Sequence, residues 1–362
     1  MLQGDELQRR LSEYLAAGVR SLRVLASGWE TNVIEFVLEA RSKSHPAVPA
    51  GVPLVLRFYE GPQADAKAAR EHLTMDRLFV AGYRVPHAYA FEPDHAALGA
   101  PFLVMERCAG GPLFAARNFP AAFKTFSLAF FSFVRTHVRL HRLDPAAPGL
   151  RDIPHAFETE AAPPGTGLLD RVLAIIAERI ERGPLPGMRD ALRRVSARAG
   201  AFRVAPLSLL HLDYHPQNVM VHGTSVTGVI DWVNTDVGDR HLDAAMTAAI
   251  LSSHALEHPR WMRDNIAGNT LRAIFAGLYV PLYHAMAPLD FERFRYCQGV
   301  AALLRLSMLG MMRTRGPESM GYRPEAIAEV TPSVVRLLSR YAERKSGAAV
   351  RVDAVAPQPA SL

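Results

Sequence analysis

Strand-type and helix-type patterns occupy separate stretches of this chain, and the seam lies at Gly110-Gly111. Before the seam, residues 5–17 carry Leu7, Leu11 and Tyr14/Leu15 at helical spacing. Short strand patterns follow: LRVLA (22–26), NVIEFVLEA (32–40) with Ile34, Phe36 and Leu38 on one face, and PLVLRFY (53–59) with Val55, Arg57 and Tyr59 on one face. A helix is predicted over 64–82, closed by Gly82, and two more strands over 87–92 and 101–107. After the seam, 119–144 is a long apolar helix pattern, 145–167 a loop rich in Pro, Ala and Gly, and 168–199 two helical segments. A hairpin (NVMVH, then VTGVIDW) precedes helices from 241 to 345, and 347–362 reads as a disordered tail. The expectation is an α+β fold: a small β-rich lobe (1–107), a hinge near 105–111 and a large helical lobe (108–346). A cleft between two lobes is a natural place for a small ligand.

Composition removes other classes. Only four of the 41 Lys+Arg are Lys, and the Arg are scattered without a dense basic run. The formal charge of +6 therefore reads as an Ala/Arg bias, with no nucleic-acid partner expected. Two cysteines, Cys108 and Cys297, cannot form a disulfide framework. The first fifteen residues, MLQGDELQRRLSEYL, lack an apolar signal core. The longest apolar run, 299–312, contains Arg305. The expectation is a cytoplasmic protein with no membrane contact; oligomeric state is not readable here.

The chemistry is concentrated in HLDYHPQN, residues 211–218. Three readings compete: a metal cage of His211, Asp213 and His215, a phosphotransferase catalytic loop, or a polar loop satisfying its own backbone. Asp231, in VIDW, lies thirteen residues after Asn218. Metal-assisted phosphoryl transfer needs a carboxylate near the attacking hydroxyl and two hard oxygen ligands for Mg²⁺. Asp213 supplies the first; Asn218 and Asp231 supply the pair. The five-residue interval from Asp213 to Asn218 is that of a protein-kinase catalytic loop. A zinc hydrolase would need neither Asn218 nor the downstream Asp231. His137 and His141, four apart on a predicted helix, read as core or cleft wall. His211 reads as a structural residue of the loop, and His215 stays open.

At these residues the chain resembles the aminoglycoside phosphotransferase and choline kinase family, whose fold is protein-kinase-like. That family reads His-Gly-Asp-Leu-His-Pro-Gly-Asn, a hairpin, Ile-Asp-Trp, then Gly-Asp-Pro and a further Asp. This chain has HLDYHPQN, VIDW and GDRHLD (238–243), departing at Leu212, Gln217 and Arg240. The resemblance implies that Asp213 orients or deprotonates the acceptor hydroxyl, and that Asn218 and Asp231 hold Mg²⁺. It also implies that Asp243 braces the loop backbone. In kinase-like enzymes a basic residue on the third strand reaches the phosphates and is tethered by a Glu on the next helix. Arg57 and Glu71 occupy those places, Arg57 where the family usually has Lys. SGWETN (27–32) would cover the phosphates, with Gly28 allowing close backbone approach. Backbone groups from Glu106 to Cys108 would bind adenine.

The implied activity is ATP- and Mg²⁺-dependent transfer of the γ-phosphate to a hydroxyl of a small molecule. Residues 244–346 hold thirteen Lys and Arg against eight Asp and Glu. That excess favours a neutral or anionic acceptor over a polycationic aminoglycoside. The alternative from another class is a non-catalytic, pseudokinase-like binding module, kept open by Arg57.

Overall fold

Residues alternate between the interior and the partly exposed side along Thr31–Leu38, and this period of two puts Ile34, Phe36 and Leu38 in the core. The computed structural model describes residues 4–27, 31–114, 118–253 and 266–352. Helix α1 (Gly4–Leu15) leads into strands β1 (Val19–Ser27), β2 (Thr31–Leu38) and β3 (Pro53–Tyr59). Helix α2 (Ala64–Val80), β4 (Ala88–Glu92), the one-turn α3 (His95–Leu98) and β5 (Phe102–Glu106) follow. The five strands form one antiparallel sheet in the order β1-β2-β3-β5-β4. Strand β3 is central, which is why Leu54 to Tyr59 are buried on both faces. Leu54, Leu56 and Phe58 pack with Leu7, Leu11 and Leu15 of α1. Tyr59 and Val55 lie on the opposite face, Tyr59 against Ala64 and Ala68 of α2. That face turns Arg57 towards the rest of the chain.

Beyond the sheet, β6 (Gly111–Pro112) begins the second part of the molecule, and Gly110 permits the turn. Its φ is +81°, and a Cβ there would lie 1.9 Å from the Val221 carbonyl oxygen. Helices α4 (Phe119–His141), α5 (Leu168–Arg182) and α6 (Arg189–Arg198) precede β7 (Leu207–Leu210), β8 (Val219–His222), β9 (Ser225–Val229) and β10 (Asp236–Asp239). Helices α7 (Arg240–Ser253), α8 (Ile266–Met286), α9 (Phe291–Arg315) and α10 (Pro332–Ser346) complete it. Apolar nearly all round, α9 is the central post of this part. Asp290 caps its start by accepting from the Glu292 and Arg293 amides, and Gly316 ends it. No described helix is long and apolar enough to cross a membrane.

Two features differ from the sequence expectation. DVGD (236–239) has little strand propensity, yet it pairs antiparallel with β7, its Asp236 opposite Leu210. The stretch expected to be disordered from 347 stays packed as far as Val352. Val350 and Val352 are buried, and the Arg351 amide donates to the Gly187 carbonyl at 3.1 Å. Residues 353–362 lie outside the described residues. Arg323, in the turns after α9, reaches the sheet: it bonds Glu60 at 2.7 Å and Asn32 at 3.0 Å. This contact ties the turns after α9 to the sheet.

Candidate active site

The loop 211–218 runs from β7 to β8 and is held from below by Asp243, near the start of α7. Asp243 Oδ2 accepts the His211 amide at 2.7 Å and Oδ1 accepts the Leu212 amide at 2.9 Å. Leu212 has φ +58°, a left-handed conformation that costs a bulky residue about 1–2 kcal/mol. The family pattern has Gly here, which adopts it freely. In this chain the Asp243 carboxylate and burial of the Leu212 side chain hold the conformation instead.

Asp243 is wholly buried, and two histidines of α4 reach it. His141 Nε2 lies 3.0 Å and His137 Nε2 3.1 Å from its Oδ2. Their Nδ1 atoms meet the hydroxyls of Tyr283 at 2.6 Å and Tyr279 at 2.9 Å. Burial pushes Asp243 up, but the two histidines outweigh it and hold the carboxyl well below the usual range. Sequence reading left His137 and His141 as core or wall; nothing local points from them to an Asp 102 residues after His141. A cage of His211, Asp213 and His215 is not formed. The His211 Nε2–H donates to the Ile230 carbonyl at 3.0 Å while Nδ1 takes the Asp213 amide at 3.3 Å. Among the described residues, the ligand-type atoms that converge are those of His137, His141 and Asp243.

His137 makes acid stability testable. Burial pushes its imidazole down to about 4, against the pull of Asp243. A histidine held below its free value of about 6.5 supports the fold fully above that value. The support is lost as pH falls from about 6.5 towards 4. Urea unfolding is expected to show stability declining through that window, with a shallower decline in His137→Gln. An unchanged slope in the variant would remove His137 as the cause.

Asp213 lies above the brace. Its Oδ1 is 3.3 Å from Arg305 Nη1, and its Oδ2 is 3.3 Å from Asn218 Nδ2 and 3.4 Å from His215 Nε2. Burial raises the Asp213 carboxyl, but His215 and then Arg305 bring it below the ordinary range. It stays an anion at neutral pH, able to accept a proton or a hydrogen bond. The hairpin of β8 and β9 then folds Asp231 back beside Asn218, through the Ile230 amide on the Asn218 carbonyl at 2.9 Å. The spacing between the two is the length of that hairpin. Asn218 Nδ2 donates to the Asp213 carbonyl at 3.1 Å, which fixes its amide and leaves Oδ1 facing away. Asp231 has φ +68°, a conformation Asp tolerates better than most residues.

Arg57 closes the constellation from the sheet. Its Nε lies 3.2 Å from Glu71 Oε2 and its Nη2 donates to Asp231 Oδ1 at 2.7 Å. A planar fork can serve both carboxylates at once, where a lysine offers a single point. Burial opposes the charge on Arg57, and Glu71 and Asp231 more than restore it. Glu71 is held in turn by the Tyr59 hydroxyl and the Trp232 amide. Arg57, Asp213, Asn218 and Asp231 all line one cavity of ≈ 570 Å³ between the sheet and the helices.

Glu106 and Cys108 also line it. The Glu106 amide already donates to the His87 carbonyl at 2.9 Å, and the Cys108 carbonyl accepts Arg107 at 2.6 Å. Among the described residues no other residue accepts from the Cys108 amide. Burial pushes the Cys108 thiol up to about 12, so it is an inert packing group. Gly28, the expected phosphate-covering residue, lies outside the described residues. Sequence reasoning missed Arg305 as a site residue. It appeared only as the charge interrupting an apolar run, and its partner lies 92 positions away.

Comparison with known proteins identifies the family and the fold. The model of a phosphotransferase enzyme family matches residues 21–289. Among solved structures, a candidate aminoglycoside phosphotransferase from Ralstonia eutropha JMP134 superposes with a TM-score of 0.59 at 18% identity, over 93% of this chain and 97% of the other. A thermostable mutant of aminoglycoside phosphotransferase APH(4)-Ia, in a ternary complex with AMP-PNP and hygromycin B, gives 0.58 at 15% identity, over 92% and 98%. Macrolide 2'-phosphotransferase MphH from Brachybacterium faecium gives 0.55 at 15% identity, over 89% and 97%. No curated protein sequence matches. The fold is the protein-kinase-like one.

Proposed function

The chain belongs to the phosphotransferase enzyme family, and on that footing we propose that it moves the γ-phosphate of ATP to a hydroxyl of a small molecule. The observation that carries the reading is the convergence of Asp213, Asn218, Asp231 and the Arg57–Glu71 pair on one cavity. Asp213 receives the acceptor hydroxyl and holds it in line for attack, so its work is orientation more than proton abstraction. Arg57, tethered by Glu71, meets the nucleotide phosphates. The hinge at Cys108 meets the adenine. One lobe would then be residues 1–107 and the other 108–346.

The donor set suits Mg²⁺. Among the described residues, Asn218 Oδ1 and Asp231 Oδ2 have no protein donor, while the other polar atoms of both side chains are engaged. Two hard oxygens left open by residues of one cavity match the preference of this ion. When bound, Mg²⁺ supplies charge neutralisation on the phosphates. The acceptor is neutral or anionic, since the helical segment 244–346 carries thirteen basic against eight acidic residues. A silent binding module has no specific observation in its favour, because all three carboxylate and amide groups of the transfer chemistry are present.

Thermal unfolding with Mg²⁺ and ATP tests the nucleotide site. At about a hundredfold excess over Kd, a ligand binding only the folded state adds about 2.7 kcal/mol. The wild type is expected to show that rise only when Mg²⁺ is present, and Asp231→Asn to lose most of it. A variant that responds as strongly as wild type would remove Asp231 from the metal site.

A further inference from the structure

We propose that Arg179 and Arg305 form an oxyanion subsite at the acceptor end of the cleft, which selects a hydroxyl compound carrying a carboxylate or phosphate ester. This rests on the phosphotransfer reading above. Both arginines line the cavity that holds Asp213, Arg179 from α5 and Arg305 from α9. The two are neighbours: Arg179 Nη1 donates to the Leu304 carbonyl, one residue before Arg305, at 3.4 Å.

That bond is a poor match for a guanidinium. The same carbonyl accepts the Ser307 hydroxyl at 2.8 Å. It is also the only hydrogen bond of the Arg179 side chain among the described residues, and no carboxylate there lies within ion-pair distance. The adjacent Glu178 is turned to Arg182, at 2.9 Å. A partly buried arginine has lost some of its hydration, and no carboxylate among the described residues pairs with it to compensate. Burial accordingly lowers the Arg179 pKa. Arg305 is also partly enclosed, with 14% of its side chain exposed, and among the described residues its side chain pairs with Asp213 alone, at 3.3 Å. Of the two guanidiniums, Arg305 alone meets a carboxylate, and that carboxylate is the acceptor-orienting one.

Phe157, Leu304, Met308 and Met246 add apolar lining to the same cavity. The acceptor that fits has a hydroxyl at Asp213, an apolar body against these side chains and an oxyanion at the arginines. Planar guanidinium forks suit both carboxylate and phosphate oxygens. A polycation would bring like charge to Arg179.

The test uses the full chain and a length series of ω-hydroxycarboxylates. Their primary amides and the phosphate monoesters of matching diols complete the panel. Initial rates with Mg²⁺ and ATP are read beside calorimetric binding without nucleotide. Charge-assisted hydrogen bonds predict that anions exceed amides in kcat/KM by roughly tenfold or more, chiefly through KM. Arg179→Gln is expected to erase most of that preference, and Arg179→Lys to keep part of it. Carboxylates leading, or phosphate esters leading, would identify the oxyanion. Amides matching the anions, or a preference untouched in Arg179→Gln, would overturn the subsite. Arg179-dependent anion binding with no transfer to any compound would uphold the subsite and remove the phosphotransfer reading. Absence of such binding would remove the subsite whatever the nucleotide experiments show. Urea unfolding guards the variant: losing a partly buried, unpaired charge should not destabilise it.

Discussion

Asp213→Ala is expected to lower turnover by about 10² to 10⁴-fold while nucleotide affinity changes little. The change removes the carboxylate proposed to receive the acceptor hydroxyl. The rest of the loop has independent support. Asn218 Nδ2 keeps its bond to the residue 213 carbonyl, and Asp243 still holds the His211 and Leu212 amides. The proposed nucleotide side rests on Arg57, Asn218 and Asp231, none of which is altered. Steady-state rates against calorimetric nucleotide titration separate the two effects. Asp213→Asn is the sharper control, since it keeps size and removes the negative charge; it should behave like the Ala variant. Turnover within threefold of wild type in either variant would sink the assigned role.

Asp243→Ala is expected to be the most destabilising single change at the site, at about 3–5 kcal/mol. The carboxylate accepts two loop amides and faces two histidine Nε2 atoms, all in a fully buried setting. Removing it strands those donors together and frees Leu212 from the left-handed conformation it adopts at φ +58°. Asp243→Asn should recover little, because an amide has one acceptor oxygen where the carboxylate has two. The depressed carboxyl pKa sets a sign as well. Its stabilisation is present above the ordinary carboxylate value of about 3.9 and is lost as pH falls below it. Urea unfolding at neutral pH measures the first effect, and the same titration in acid the second. A loss under about 1 kcal/mol at neutral pH would show that the loop does not depend on this brace.

Much of this was legible beforehand, for identifiable reasons. The face of β3 that carries Arg57 follows from a period of two, and the whole strand from an apolar run broken only by Arg57. The pairing of Asn218 with Asp231 was readable because a short hairpin joins them, so distance along the chain implies distance in space. Strand β10 was not readable: Asp236 and Gly238 have poor strand propensity, and only the open edge of β7 draws them into a ladder. The packing of Val350 and Val352 was hidden in the same way, since two valines in a polar, Ala-rich tail carry no local signal of a groove to fill.

The sequence by itself determined the order of chemical groups, the period of each element and the hairpin-linked pair of metal-type oxygens. These are local properties, set by backbone geometry and side-chain type within a dozen residues. Tertiary structure alone decided which charges face one another: Arg57 with Asp231 across 174 residues, His141 with Asp243 across 102, Arg305 with Asp213 across 92. It also left Arg179 without an anion. Electrostatic partnership depends on distances of a few ångströms between elements remote along the chain. Those distances follow from how the helices pack, which no local pattern encodes.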